Sequence, residues 1–225
     1  MTEIQLAKKF SIRDLLKRAW HITSHNLGKI LLLELLFLFM FAIGTLLIYW
    51  LFPSDETASP LSQLLNLFFS QAWGTLLLLG ITNLALKFSN FEQVKISDFF
   101  SNFNAFPTLF FASILVGLAI LLGFLLLIIP AFFVLARLHL YNYMSVDQKA
   151  GIIESLKKSW NTVKGATWKV LGFFFVCALL NILGILFLGF GLLLTYPVTA
   201  IASALLYRTL WTQSNLTVLA DETKE

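Results

Sequence analysis

Charged residues are scarce in this chain. The 225 residues include 16 Lys or Arg and 12 Asp or Glu, so only 12% are charged, whereas 58% are apolar. A water-soluble domain has about 25% charged residues, and this chain has too few charges to cover a soluble surface. The apolar content also excludes a disordered chain. The composition therefore predicts an integral membrane protein.

Features of metal, cofactor and catalytic sites are also missing from the sequence. Cys177 is the single cysteine, which excludes an internal disulfide and a cysteine metal cluster. The sequence has no phosphate loop, HExxH, GxSxG or paired-carboxylate motif. His21 and His25 have a helical spacing compatible with metal binding, but two histidines alone do not predict a metal site. We therefore expect no enzyme activity, no cofactor and no metal.

Six apolar runs are long enough to cross a membrane as helices. The hydrocarbon core is about 30 Å thick and takes roughly 20 helical residues, and the runs do not alternate as barrel strands would. The run over 108–143 is too long for one span and is divided at Pro130, because proline removes a helical donor. The first run exceeds the apolar core of a signal peptide and is expected to be retained. The predicted spans are 30–52, 64–86, 108–129, 130–144, 168–188 and 192–211.

Lysine and arginine are absent from one side of the predicted membrane. All 16 basic residues fall on the side of the two termini, whereas the turns near Asp55, Pro130 and Gly189 have none. The positive-inside rule then predicts a multi-pass protein of the cytoplasmic (inner) membrane with both termini in the cytoplasm. A basic cytoplasmic surface attracts anionic headgroups. The charge pattern therefore favours membrane lipids over nucleic acid as the partner.

Residues 11–31 recur without gaps as residues 151–171, an offset of 140. A weaker copy begins at Ile96, with Asp98 at the acidic position. Each copy precedes two predicted spans. The sequence therefore predicts one membrane domain over 1–225, built from three parallel repeat units at about 11–87, 95–144 and 151–211. The identical pairs are Ile12 and Ile152, Leu16 and Leu156, Lys17 and Lys157, Trp20 and Trp160, Lys29 and Lys169, and Leu31 and Leu171.

Each copy places apolar residues on one face of a helix. In the first copy they follow helical spacing from Ile12 to Trp20, and Asp14 lies near the positive end of the helix dipole. We predict three amphipathic interfacial helices whose apolar faces lie in the membrane. The predicted fold is an all-α, polytopic membrane helix bundle with six transmembrane helices. The predicted interfacial anchors are Lys17, Arg18, Trp20, Lys157, Lys158 and Trp160.

Several segments of the second half resemble a known group of proteins. The segments are 129–137, 151–160, Lys164-Gly165, 189–191 and Tyr196-Pro197. They are similar to uncharacterised bacterial inner-membrane proteins, which resemble the membrane domain attached to some glycerophosphodiester phosphodiesterases. The resemblance covers most of the chain and is best from Pro130 to Arg208. It implies a six-span membrane protein but no chemistry, since the hydrolase domain of some relatives is absent.

A few polar residues lie inside the predicted spans. A charge at the centre of a membrane helix costs about 2.5–3.5 kcal/mol and marks a possible functional site. Glu34 and Arg137 could meet in the inner half of the bundle, either as a structural ion pair or along a polar path. His139 is a possible proton relay next to Arg137. Asn83 and Asn181 are candidates for interhelical hydrogen bonds.

Two classes of function follow from these features, ahead of a third, a membrane enzyme, for which the sequence has no catalytic motif. The first is a membrane-organising or accessory protein that contacts lipids, or a cytoplasmic or membrane protein partner, through its basic side. The alternative is a small transporter or lipid-handling protein with a polar intramembrane cavity near Glu34, Arg137 and Asn181. A continuous polar cavity would favour transport. A tightly packed apolar core would favour the accessory role.

Overall fold

The computed structural model describes residues 10–55, 58–126, 128–186 and 189–222, and this part of the chain is helical and without strands. Lys8, Lys9 and Lys224 lie outside the described residues. Short 3-10 helices at Ile96–Phe100 and Phe103–Ala105, here called the 3-10 segment, precede α4. The α-helices are α1 Ile12–His25, α2 Leu27–Leu51, α3 Pro60–Ser89, α4 Phe106–Leu126, α5 Ile128–Leu138, α6 Tyr141–Asp147, α7 Ile152–Val163, α8 Thr167–Leu186 and α9 Leu192–Glu222.

Within the described residues, four helical stretches are long and apolar enough to cross a membrane, which indicates membrane association. They cover 27–51, 60–89, 96–125 and 167–186. The predicted spans 130–144 and 192–211 are not among these four. Proline causes no break in α5, because Pro130 lies in the first helical turn, where its missing N–H is harmless.

The predicted fourth span is interrupted between α5 and α6. Ser159 of α7 satisfies the backbone at this interruption: its Oγ donates to the Arg137 carbonyl oxygen at 2.8 Å and accepts from the Leu140 N–H at 3.2 Å. A buried backbone group without a partner would be costly. The break in the helix is therefore stabilised by a side chain from a distant part of the sequence.

The two long amphipathic helices lie on the bundle itself. The apolar stripe of α1 is covered by α9 and α3, with Leu15, Ala19 and Ile22 buried. In α7, Ser155 and Ser159 are buried against α4, α5 and α6. This differs from the prediction that the apolar faces lie in the membrane. Small residues such as Ala19 and Ser159 let each helix approach its neighbours closely, so protein rather than lipid covers the stripe.

The weaker copy near Asp98 also differs from its prediction. The expected amphipathic α-helix at 96–106 is replaced by the 3-10 segment, interrupted at Asn102, which has a left-handed φ of 54°. The Phe99 ring is only 1% exposed and occupies the space that a Cβ at Gly80 would need. Insertion of this ring against α3 holds the segment close to the bundle.

The three hairpins, α2–α3, α4–α5 with α6, and α8–α9, form a ring. The 3-10 segment packs on α3, α7 packs on α5 and α6, and α1 packs on α9. Helix α3 contacts both α9 and α6 and so joins the three hairpins. The first helix of each hairpin, α2, α4 or α8, carries many exposed apolar side chains. We call the end of the bundle that bears α1, the 3-10 segment and α7 the basic end.

Candidate functional site

Glu34 of α2 faces a groove between α2, α3 and α9. The groove is narrow, with a volume of about 50 Å³, and its lining is mainly apolar, with Phe37, Phe99 and Tyr196 among its walls. Glu34 is half-buried and makes no hydrogen bond or ion pair with the described residues. It lies seven residues into α2, about 10 Å along the helix. An unpaired carboxylate in an apolar groove is a candidate binding group.

Arg137 is held away from Glu34 by its own partners. Its Nε donates to Thr167 Oγ1 at 2.9 Å, and one Nη donates to the Trp160 carbonyl oxygen at 3.4 Å. The guanidinium lies 4.8 Å from the Phe133 ring centroid and 4.9 Å from that of Trp160. The structure therefore places Arg137 as a connection between α5, α7 and α8. It does not bring Arg137 and Glu34 together.

His139 and Asn181 also lie in separate places. The His139 ring contacts the edge of Phe174 at 4.2 Å between centroids, and its Nε2 is buried without a hydrogen-bond partner. Asn181 Nδ2 donates to Thr199 Oγ1 at 3.3 Å and so joins α8 to α9. The polar residues predicted inside the spans therefore do not form one site or a continuous path.

Asn83 belongs to a polar layer near the basic end. Its Nδ2 donates to the Ser101 carbonyl oxygen at 2.6 Å, and its Oδ1 accepts from Asn102 Nδ2 at 2.9 Å. Asn142 of α6 donates to Thr82 Oγ1 at 3.0 Å. These bonds join α3 to the 3-10 segment and to α6. Asn83 thus fixes the position of Asn102, which also borders a cavity.

This cavity lies between the 3-10 segment, the start of α4 and the end of α6, and we call it the polar cavity. Its volume is about 180 Å³. The Ser145 side chain is buried, and its Oγ has no hydrogen-bond partner. Sequence reasoning missed this cavity, although the Asn102-Phe-Asn104 triplet and Lys149 are polar signals next to apolar runs. Its polar lining residues are Asn102, Asn104, Thr108, Ser145 and Lys149.

An ion pair anchors the 3-10 segment to α3. Lys87 Nζ lies 2.7 Å from Asp98 Oδ1, and the Lys95 N–H donates to Asp98 Oδ2 at 2.7 Å. The hydrogen bond from Lys87, followed by that from the Lys95 backbone, holds the pKa of Asp98 below its usual value. Asp98 is therefore a charged structural residue of the basic end.

The predicted anchors lie on the surface of the basic end. Lys17, Arg18 and Lys157 are exposed, as are Trp20 and Trp160. The sixth predicted anchor, Lys158, is half-buried.

Lys158 forms a 2.7 Å ion pair with Glu154 on the same helix. The hydrogen bond from the Lys158 ammonium lowers the pKa of Glu154. The His21 and His25 rings stack at 4.1 Å, and no group of three or more possible metal ligands occurs in the described part of the chain. The surface of the basic end therefore offers positive charge and indole rings.

Comparison with known proteins gives a family without an assigned activity. No curated protein and no solved structure matches the chain. Residues 66–220, more than half of the chain, match a family described as a domain of unknown function, DUF7847. The chain belongs to this uncharacterised family.

Proposed function

We propose that this is a multi-pass inner-membrane protein whose basic end binds anionic lipid headgroups at the cytoplasmic surface, in a membrane-organising or accessory role. One observation carries the proposal: Lys17, Arg18 and Lys157 are exposed on helices fixed to one end of an apolar bundle. Indole rings favour the membrane–water interface, and Trp20 and Trp160 are exposed on the same helices. Each basic residue near an anionic surface adds about 1 kcal/mol of attraction.

A three-unit architecture with six spans is part of this proposal, and burial at the offset of 140 supports it. Leu15, Ala19, Ile22 and Thr23 are buried in α1, and the corresponding positions are the buried residues of α7. The buried positions of α2 correspond to buried positions of α8 at the same offset. The corresponding buried pairs are Leu15 and Ser155, Ala19 and Ser159, Ile22 and Thr162, Thr23 and Val163, Ile30 and Val170, Leu33 and Phe173, and Gly44 and Gly184.

The helix starts of the second and third units support the same architecture. The Glu154 carboxylate accepts a hydrogen bond from the Gly151 N–H at 3.2 Å, and Asp98 accepts one from the Lys95 N–H at 2.7 Å. In both units the acidic residue follows the N-cap by three positions.

Lipid-dependent stability tests the proposed function. The full chain is reconstituted in nanodiscs of phosphatidylcholine alone or with phosphatidylglycerol, and its thermal unfolding is followed by circular dichroism. We expect phosphatidylglycerol to raise Tm, and 0.5 M salt to reduce the gain through screening. The variant Lys17→Gln/Arg18→Gln/Lys157→Gln should lose most of the gain. The charge-preserving Lys17→Arg/Lys157→Arg variant should keep it, and an equal Tm in both lipids would contradict the proposal.

The Glu34 groove favours a second candidate function, lipid handling within the membrane. A half-buried carboxylate without a hydrogen-bond partner is unfavourable in an apolar groove. Its position is explained if Glu34 binds a polar part of a lipid. Translocation of fluorescent phosphatidylglycerol and phosphatidylethanolamine in proteoliposomes, followed by dithionite quenching, tests this. Wild type should accelerate translocation, and Glu34→Gln should abolish the acceleration at unchanged Tm. Rates equal to protein-free vesicles would exclude this function.

A further inference from the structure

We propose that the polar cavity at the basic end binds a phosphate group, with a membrane lipid headgroup as its source. The inference rests on the proposed function, because it assigns a specific place to the headgroup. Among the described residues, the lining supplies amide, hydroxyl and ammonium donors and no carboxylate. The cavity volume of about 180 Å³ is several times the roughly 30 Å³ that one water molecule occupies in the liquid, which leaves room for a phosphate group but not for a whole lipid. The donors come from Asn102, Asn104, Thr108, Ser145 and Lys149.

Ser145 provides the first independent sign of a ligand. Its side chain is 1% exposed, and its Oγ has no hydrogen-bond partner in the protein. Hydroxyls in helices usually bond to a carbonyl oxygen one turn earlier, as Thr82 does with Leu78. Burial of a hydroxyl without a hydrogen-bond partner is unfavourable. A phosphate oxygen in the cavity would accept its hydrogen bond.

The start of α4 borders the same cavity. Thr108 lies in the first turn of this 21-residue helix and lines the cavity. The N-terminus of a helix carries a positive partial charge, which favours phosphate. The Thr108 and Ser145 hydroxyls thus line the cavity from two separate elements.

Lys149 supplies the full positive charge. It is exposed and lies in the connection between α6 and α7, with a left-handed φ of 50°. This conformation is unfavourable for residues with a Cβ. The neighbouring carboxylate of Asp147 is engaged by the Tyr207 hydroxyl at 2.6 Å and by Gln148 at 2.7 Å. Lys149 is therefore the charged residue of the cavity lining.

The aromatic residues around the cavity favour a lipid over a soluble ion. Phe100 and Phe103 are 49% and 57% exposed, and Phe103 stacks on Phe106 at 5.6 Å. Exposed phenylalanines beside the start of an apolar helix place this segment at the level where acyl chains meet headgroups. Phe103 lies in the chain between Asn102 and Asn104, two residues of the cavity lining, so the apolar and the polar surface adjoin here.

Binding to the purified full chain in detergent tests the inference, with native mass spectrometry and Tm as readouts. The probes are dihexanoyl phosphatidylglycerol, inorganic phosphate, and a dihexanoyl glycerol that lacks phosphate. We expect saturable binding of the phospholipid and none of the diacylglycerol. Lys149→Gln should weaken phospholipid binding at least tenfold. Lys164→Gln changes an exposed lysine at the same end but outside the cavity, and should leave binding unchanged.

Ser145→Ala separates binding from folding. Removal of an unpaired buried hydroxyl should leave the Tm of the free protein unchanged or raise it, while phospholipid binding falls. Inorganic phosphate should compete with the phospholipid, and its binding should depend on Lys149. Tighter binding of the phospholipid would identify a lipid as the source of the phosphate group, and tighter binding of inorganic phosphate would identify a soluble ion. Wild-type binding by both Lys149→Gln and Ser145→Ala would overturn the inference. If Lys17→Gln/Arg18→Gln/Lys157→Gln then still loses its gain in phosphatidylglycerol, the proposed function stands without the cavity.

Discussion

Two glycines of α4 differ in the space around them. A Cβ at Gly123 would lie 2.8 Å from the Ala131 Cα across the α4–α5 hairpin, whereas a Cβ at Gly117 meets nothing within 4 Å. Backbone cannot move aside as a flexible side chain does. Gly123→Ala should therefore lower the free energy of unfolding by about 1–3 kcal/mol, measured by denaturant unfolding in detergent micelles. Gly117→Ala is the matched control and should not destabilise. Equal effects at both positions would contradict the close packing of this hairpin.

The Lys87–Asp98 pair gives stability a defined pH dependence. The pKa of Asp98 is lowered in the folded state, so the pair stabilises fully above the unfolded-state pKa of about 3.9. This contribution disappears as the pH falls through the lower folded-state pKa. Asp98→Asn should cost about 1 kcal/mol at pH 7. Its Tm difference from wild type in detergent should shrink below about pH 4.

Glu154→Gln is the control for this experiment. Glu154 also pairs with a lysine, but its side chain is 56% exposed, and exposed pairs contribute little. We expect no measurable change in Tm at any pH. A Tm difference for Asp98→Asn that is independent of pH would show that the charge of Asp98 does not stabilise the fold.

Single residues were predictable where one helix determines their surroundings. The offset of 140 placed Trp20 and Trp160 at matching exposed positions. The surroundings of Arg137 were not predictable, because Trp160 and Thr167 reach it from two later helices. The prediction that Glu34 meets Arg137 failed for the same reason: no local pattern tells which helix a carboxylate inside a predicted span will face.

At the level of elements, the break between α5 and α6 depends on Ser159. Ser159 Oγ bonds to both sides of the break, to the Arg137 carbonyl oxygen and the Leu140 N–H. Ser159→Ala should leave two buried backbone groups without partners and lower the free energy of unfolding by about 1–3 kcal/mol. Denaturant unfolding monitored by tryptophan fluorescence measures the change.

Ser155→Ala is the matched control for Ser159. Both serines are fully buried on α7, but Ser155 Oγ bonds only to the Ile152 carbonyl oxygen of its own helix. Its loss should be clearly smaller than that of Ser159→Ala. If the two variants unfolded alike, the serine bridge would not support the break. The apolar pattern predicted one continuous helix over 130–144. The break between α5 and α6 was not predictable, because it is stabilised by another element and leaves no local signal in the sequence.

At the scale of the whole molecule, the three hairpins contact one another in a ring. The segment before each hairpin packs against a helix of another hairpin: the 3-10 segment on α3, α7 on α5 and α6, and α1 on α9. A chain of this kind closes on itself when its first element contacts its last. The all-helical class was predictable from composition, but ring closure was not, because it depends on contacts between the two ends of the sequence.

Cysteine labelling can test which end of the bundle faces the cytoplasm. Ser54 is exposed at the α2–α3 connection, Lys157 is exposed at the basic end, and Cys177 is the only native cysteine. In a Cys177→Ser background, Ser54→Cys and Lys157→Cys are expressed separately and treated with a membrane-impermeant maleimide. The positive-inside rule leads us to expect labelling of Ser54→Cys in intact spheroplasts, and of Lys157→Cys only after lysis. Labelling of Lys157→Cys in intact spheroplasts would reverse the orientation and move the lipid-binding surface to the outer leaflet.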